Sequence, residues 1–413
     1  MGRISEIRDV ESHEGQTRSV WRDWASIVIG STVGYMCLIL IIVGYFHPSL
    51  LPVNPVALLF NKEVSPFFAF SQGAGYFPKP DGFQIIALVP FTYFERTEIL
   101  DCYLRRNLVQ NHGFLDKVVF IPQTDDKASL EWLYSIVSRT EEYAIAPSGH
   151  EMDWKIAHGD NMYIRIDGDT VFMEDHTIPT IVKTKLDNPD TLMVSANVIN
   201  EGALAALHSH PGVALPYLPE LYHVEQPSRS KSQLRHDWRA SSLPTWEGPA
   251  SFRVRKGFQP PFEGHRWLLP AEPRSDRDPI SASIYTQLGP NMTDWTVAAQ
   301  QHYSFLRHLE SKDLARYKFP LWVDPAEPTS KNFGCFWGKD AGVLRRIFEH
   351  ELGSEELLRS WTDADGNKPR ITIDGKGLAS HYSASQGASG LDATDLVDRY
   401  RAYAQERVCR DTR

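Results

Sequence analysis

The chain is short of cysteine, of positive charge and of any glycine-rich phosphate loop, and each shortage removes a class of protein. Four cysteines in 413 residues are too few for a disulfide-dense scaffold. Bases number 43 against 52 acids, a net charge of −9, so no cationic excess is available to bind a nucleic-acid backbone. There is no zinc-ligand spacing, no Ser or Cys nucleophile triad and no internal repeat. What remains is globular composition, 42% hydrophobic and 23% charged, with length for one large domain or two.

One apolar run stands out. Residues 24–46 (WASIVIGSTVGYMCLILIIVGYF) carry no charge, and at 1.5 Å per residue they match a hydrocarbon core of about 30 Å. Trp21, Trp24, Tyr45 and Phe46 fall where interfacial aromatics belong, and Tyr45 to Pro48 makes a poor signal-peptide cleavage site. Arg3, Arg8, Arg18 and Arg22 precede the run, and the next base is Lys62. The expectation is a cytoplasmic tail at 1–23, a membrane helix at 24–46, and residues 47–413 in the lumen of the Golgi or another secretory compartment. Cys102, Cys335 and Cys409 would there meet an oxidising solvent, with one pair able to bridge. Asn291-Met292-Thr293 is compatible with that side.

Six prolines between 48 and 80 suggest a stem at 47–80. Beyond it, strands are expected at 85–89, 118–121, 143–145, 162–166 and 192–196. Helices are expected at 99–108 with Gly113 as stop, at 128–137, and through Leu186 from a cap at Asp175 or Thr177, with Pro179 in the first turn. Such alternation predicts an α/β domain, a mostly parallel sheet flanked by helices, over 81–406. Residues 223–290 read as a long loop insertion and 407–413 as a tail. Helical patterns return at 295–309, 341–348 and 392–406.

The sharpest motif is Tyr163-Ile164-Arg165-Ile166-Asp167-Gly168-Asp169, two carboxylates around a glycine at the end of an apolar strand. Aspartates at strand ends often serve only to satisfy turn amides. Two chemical readings compete with that one. In the first, Asp167 and Asp169 bind a hard cation, Mn²⁺ or Mg²⁺, which neutralises the diphosphate of a nucleotide-sugar donor. In the second, Asp167 is the nucleophile of a haloacid dehalogenase-type phosphatase. That class places its motif after the first strand, whereas three strands and two helices precede this one. Sugar transfer is the favoured reading.

The chain also resembles a family of fungal type II membrane proteins assigned as glycosyltransferases with a GT-A-like domain. The matching stretches are Tyr163 to Pro179, Val194 to Asn200, Pro216 to Glu220, Trp238 to Ser241, Pro261 to Trp267, Phe336 to Asp340 and Asp398 to Tyr403, within roughly 84–406. That family usually carries three aspartates where this chain has Asp167-Gly168-Asp169, so both outer ligands persist. The resemblance implies a GT-A-like fold and sugar transfer, and names no substrate.

Further candidates complete the expected site. Metal centres of this type commonly take a histidine from the later part of the domain, and His381 is the choice, with His208 and His210 as alternatives. Asp160, just ahead of the strand, is counted with Asp167 and Asp169 as a donor-binding acid. An inverting transferase needs a carboxylate base, for which Asp340, after Phe336-Trp337-Gly338, and then Glu220 are the candidates. A capped helix start explains Asp340 nearly as well. Trp238, Trp246 and Trp267 either stack on an acceptor glycan or pack for burial. Asp363-Ala364-Asp365-Gly366 reads as a turn. The expected partners are a nucleotide sugar, a glycan or glycoconjugate acceptor and a membrane, with no nucleic acid. The alternative is a non-catalytic glycan-binding protein on the same fold.

Overall fold

In a computed structural model, the chain divides into two units, 1–78 and 79–413. The structure describes residues 28, 30–32, 34–39 and 77–409, except 147–154, 210–212, 223–236, 250–251, 253, 256, 272–284, 287–288, 291–293, 324–331, 350–369 and 383–388. In the first unit the described residues at 28–39 are helical, and Tyr35, Met36, Leu38 and Ile39 are exposed. No helix among the described residues is long and apolar enough to cross a membrane. The predicted tail 1–23, most of the predicted span 24–46 and nearly all of the stem lie outside the described residues. So do His210, the Asn291 sequon and Asp363 to Gly366.

The second unit is built on one sheet. Strand β1 (Ile85–Phe91) is buried along its whole length, which is why its sequence is a continuous apolar run. It pairs in parallel with β2 (Lys117–Pro122) on one side and β4 (Met162–Ile166) on the other, and β3 (Tyr143–Ile145) extends β2. Helix α1 (Phe94–Arg106) links β1 to β2, and α2 (Lys127–Val137) links β2 to β3. The Asp126 carboxylate caps α2 by accepting from the Ser129 amide at 2.8 Å.

After β4 the chain turns into β5 (Thr170–Met173), α3 (Thr177–Asp187) and β6 (Thr191–Ile199). The rest of the sheet comes from late in the chain: β7 (Trp322–Val323), β8 (Phe333–Trp337) and β9 (Arg370–His381). The order is β7-β9-β6-β8-β4-β1-β2-β3, with β5 on β9. Strands β1, β2, β3, β4, β6 and β9 share one direction; β5, β7 and β8 oppose it. The sheet is mostly parallel, as expected, with three strands opposed to the rest, and of these β8 is the strand that sequence pattern hid. It is inserted antiparallel between β4 and β6, and a Cβ on its Gly334 would meet Met193 Sδ at 2.6 Å.

Several boundaries differ from expectation for local reasons. Helix α1 starts five residues before the expected 99 and stops at Arg106, two residues short of the expected 108. Neither expected cap serves α3: His176 is its N-cap residue and makes no side-chain cap bond. Asp175 instead pairs with Arg106 Nη2 at 2.8 Å, and Thr177 Oγ1 donates to the Leu378 carbonyl at 2.8 Å. Helix α4 (Trp295–Glu310) is buried over most of its length, and α6 (Leu396–Arg407) packs beside α1. Between them in sequence lies α5 (Ala341–Glu349). The expected tail is not free, because Cys409 is disulfide-bonded to Cys102 on α1; Cys335 stays reduced and buried in β8. The described parts of the 223–290 loop form short two-stranded ladders, Leu218–Pro219 with Trp267–Leu268 and Tyr285–Thr286 with Gly289–Pro290.

Candidate metal centre at the carboxyl edge of the sheet

Strand directions decide which residues meet. The carboxyl ends of β1, β4, β6 and β9 and the amino end of β8 lie at one edge. Asp167 leaves β4 there, its amide donating to the Asn332 carbonyl at 2.8 Å, and the Thr170 amide closes the turn onto the Asp167 carbonyl at 3.0 Å. Gly168 is pressed against the end of β1, where a Cβ would sit 2.3 Å from the Pro90 carbonyl oxygen. Strand β5 then runs back along β9, with Thr170 opposite His381 and the Tyr382 amide bonded to the Asp169 carbonyl at 2.9 Å. The single turn from β4 into β5 thus delivers both aspartates to the end of β9.

Asp167, Asp169 and His381 each offer a ligand atom, and these atoms lie within 4.8 Å of one another. His381 Nε2 is 3.3 Å from Asp167 Oδ1, and both ring nitrogens are buried without a hydrogen-bond partner. Buried polar atoms are ordinarily satisfied, so an imidazole left open beside two carboxylates fits a cation. Two oxygens and one nitrogen suit Mn²⁺ or Mg²⁺ with water or phosphate completing the shell.

The charges are tuned around this cluster. Burial works against the ionised form of Asp167, yet His381, Arg165 and the Asp169 amide together hold its carboxyl well below the usual range. At Asp169 burial prevails and raises the pKa, although Arg96 Nη1 stands 2.7 Å from Oδ2. Burial disfavours the His381 imidazolium, but Asp167, Asp169 and Glu201 outweigh it and raise its pKa. Arg96 also holds Asp392 Oδ1 at 2.6 Å, and its guanidinium lies 4.7 Å and 4.3 Å from the ring centres of Tyr93 and Tyr382. This clamp fixes one Asp169 oxygen.

No family model matches the chain, and no curated protein matches it. Solved structures share a limited part of it. Glucosyl-3-phosphoglycerate synthase from Mycobacterium tuberculosis, in complex with Mn²⁺, UDP-glucose and phosphoglyceric acid, is 16% identical over 32% of this chain and 50% of its own, with a TM-score of 0.24. S. aureus TarS 1–349 is 13% identical over 28% of this chain and 36% of its own, TM-score 0.22. CMP:2-keto-3-deoxy-manno-octonic acid synthetase complexed with CTP is 13% identical over 27% and 52%, TM-score 0.21. The chain spans about half the length, or less, of these structures.

The other expected site residues do not join the cluster. Because β8 is antiparallel, its end at Trp337 pairs with Met162, so Asp340 emerges at the amino edge of the sheet. The five residues of β4, at about 3.3 Å each, separate it from Asp167. There Asp340 Oδ2 faces the buried Lys185 Nζ at 4.0 Å, and burial raises its pKa. Asp160 precedes β4 at the same wrong edge and is exposed. Glu220 is buried and tied at both oxygens to the Arg266 guanidinium, at 2.6 Å and 2.9 Å, in an ion pair away from the Asp167, Asp169 and His381 cluster. His208 belongs to a helical turn rather than a strand, and its Nε2 bonds Asn197 Oδ1 at 2.8 Å.

The three tryptophans are buried: Trp238 Nε1 donates to Glu406, Trp246 Nε1 to the Pro219 carbonyl, and Trp267 is fully enclosed. Sequence reasoning missed Arg96, Asn332, Glu201 and Asp392. Only Arg96 had a signal, since the first helical turn after β1 is where ligand-facing groups sit in open α/β sheets.

Proposed function

We propose that this protein is a divalent-metal-dependent glycosyltransferase of the GT-A type, moving a sugar from a nucleoside-diphosphate donor to a glycan or glycoconjugate. The observation that carries the reading is the open imidazole of His381 beside Asp167 and Asp169, at the carboxyl ends of the strands where α/β sheets bind ligands. A bound Mn²⁺ or Mg²⁺ would supply charge neutralisation for a departing diphosphate. Asp167, Asp169 and His381 would hold it, while Arg96 keeps Asp169 oriented. The reading rests on these side chains and not on the likeness to solved structures.

The second unit is assigned to the lumen of a secretory compartment, anchored by the apolar run at 24–46. The Cys102–Cys409 bond supports an oxidising surrounding.

A thermal-shift panel on the full chain tests the function. UDP, GDP and ADP, each with Mn²⁺, include at least one nucleotide that raises Tm by several degrees, and neither metal nor nucleotide does so alone. In His381→Ala the joint shift disappears. An absence of any metal-dependent nucleotide shift in the wild type refutes the assignment.

A further inference from the structure

The transfer reading needs a destination for the acceptor's proton, and of the carboxylates expected to supply it Asp340 lies at the opposite end of β4 and Glu220 is ion-paired with Arg266. A carboxylate that sequence reasoning passed over stands at the right edge. Strand β6 ends at Ile199, opposite Ser380 of β9, so Asn200 and Glu201 come out beside His381. Asn200 is buried and left-handed, with φ of 62°, a conformation uncommon for a residue with a side chain. Its Nδ2 lies 2.6 Å from His302 Nε2, which packs it in place. Asparagine adopts this conformation more readily than other residues with a side chain, and here it turns the chain where β6 ends, just before Glu201.

The Glu201 carboxylate is placed by two donors. Asn332 Nδ2 reaches Oε2 at 2.9 Å, and the Gly202 amide reaches Oε1 at 3.2 Å. Asn332 is also the residue whose carbonyl receives the Asp167 amide. One asparagine therefore spaces Glu201 from the metal centre, close enough for its charge to act on His381 and outside the three-residue ligand cluster. Glu201 is half-buried, and no Lys, Arg or His ion-pairs with it among the described residues. Asp167, Asp169, Asp392 and Glu220 each face a cationic partner. An anion oriented by neutral donors keeps a lone pair for a proton.

We propose that Glu201 is the general base of the transfer. In that step the acceptor hydroxyl gives its proton to the Glu201 carboxylate, and its oxygen forms the bond to the anomeric carbon. The bond from that carbon to the donor phosphate oxygen breaks with its electron pair on the leaving nucleoside diphosphate. The proton passes from Glu201 to solvent after release. The inference rests on the proposed transferase reading and adds to it an inverting course with a named proton acceptor.

The test uses the full chain, a panel of nucleotide sugars and Mn²⁺, with water as acceptor and release of nucleoside diphosphate as readout. Glu201→Gln lowers release about 100- to 10,000-fold while the Mn²⁺-dependent thermal shift with nucleoside diphosphate stays as in the wild type. Glu201→Asp, which keeps the acid and shortens its reach, falls at least tenfold below the wild type and above Glu201→Gln, and serves if the glutamine variant does not fold. Release within threefold of the wild type in either variant overturns the base. Joint loss of release and of the metal-dependent shift also overturns it, by making Glu201 part of the binding centre. A wild type that hydrolyses no donor defeats the transferase reading itself, whereas an active wild type with an unaffected Glu201→Gln defeats the base alone.

Discussion

The two edges of the central sheet carry motifs that look alike in sequence and differ in what surrounds them. At the carboxyl edge, Ile166-Asp167-Gly168-Asp169 closes β4; at the amino edge, Trp337-Gly338-Lys339-Asp340 closes β8. Both place an acid after an apolar strand and a glycine. At the amino edge Asp340 meets Lys185, whose ammonium also donates to the Thr191 carbonyl, so the acid contributes to a buried ion pair. At the carboxyl edge four strands deliver two aspartates, a histidine with open nitrogens and a clamped arginine to one place. The lesson is that an acid's neighbours come from strand direction, and a motif read without direction is assigned to either edge with equal ease.

The largest effect that can break this contrast is an exchange of phenotypes. Asp169→Asn should cost about 10³-fold or more in metal-dependent turnover, with the smaller change in Tm because Arg96 keeps its second partner, Asp392. Asp340→Asn should do the reverse, lowering Tm by a few degrees through the unpaired Lys185 while turnover stays within about threefold. Steady-state rates and melting curves on both variants decide it; a strongly impaired Asp340→Asn would return that residue to the site.

Acid sharpens the contrast from outside both edges. Burial lowers the pKa of His208 and of His176 to about 3. Their unfolded pKa is about 6.5, so below that pH the unfolded chain binds protons that the folded one refuses. Their stabilisation is complete above pH 6.5 and is lost as pH falls toward 3, at roughly 1.4 kcal/mol for each histidine by pH 5.5. Denaturant titrations should therefore show a loss of about 3 kcal/mol between pH 7 and 5.5 from these two groups. The same increment is expected in Asp169→Asn and Asp340→Asn; a variant that escapes it would link its edge to these histidines.

The smallest expected effect is Gly168→Ala. Its Cβ would stand 2.3 Å from a backbone oxygen that has no rotamer to move, so either β1 or the turn must shift. The cost should be about 1–3 kcal/mol in unfolding free energy, with Mn²⁺ affinity reduced. An alanine accommodated at no cost in both would show that the turn is not pinned to β1.

Much of the sheet was legible because β1, β2, β4 and β6 are buried along most of their length and are dominated by apolar residues, β1 without a break. The two acids of the turn were legible from the glycine between them, and His381 from the apolar stretch leading to it. What was hidden depends on contacts distant in sequence. Arg96 meets Asp169 across 73 residues and Asp392 across 296, and no local pattern announces either. Glu220 looked free until Arg266, 46 residues on, closed both its oxygens. Strand β8 has five residues and a glycine, too short for a period to show its direction. The tryptophans kept both readings until the indole donors of Trp238 and Trp246 were seen to be engaged within the fold and Trp267 to be fully enclosed.

The Cys102–Cys409 bond sets a schedule for biogenesis. Its second sulfur is synthesised 307 residues after its first, a wait of roughly 15–60 s at 5–20 residues per second. During that interval Cys335 emerges and can capture the waiting thiol. Once β8 is seated between β4 and β6, Cys335 is fully buried and its pKa is pushed up to about 12, so it carries almost no thiolate. Correct pairing then becomes a race between closure of the sheet and oxidation of the wrong cysteine. Slow insertion of one five-residue strand would be read out as mispaired protein rather than as unfolded protein.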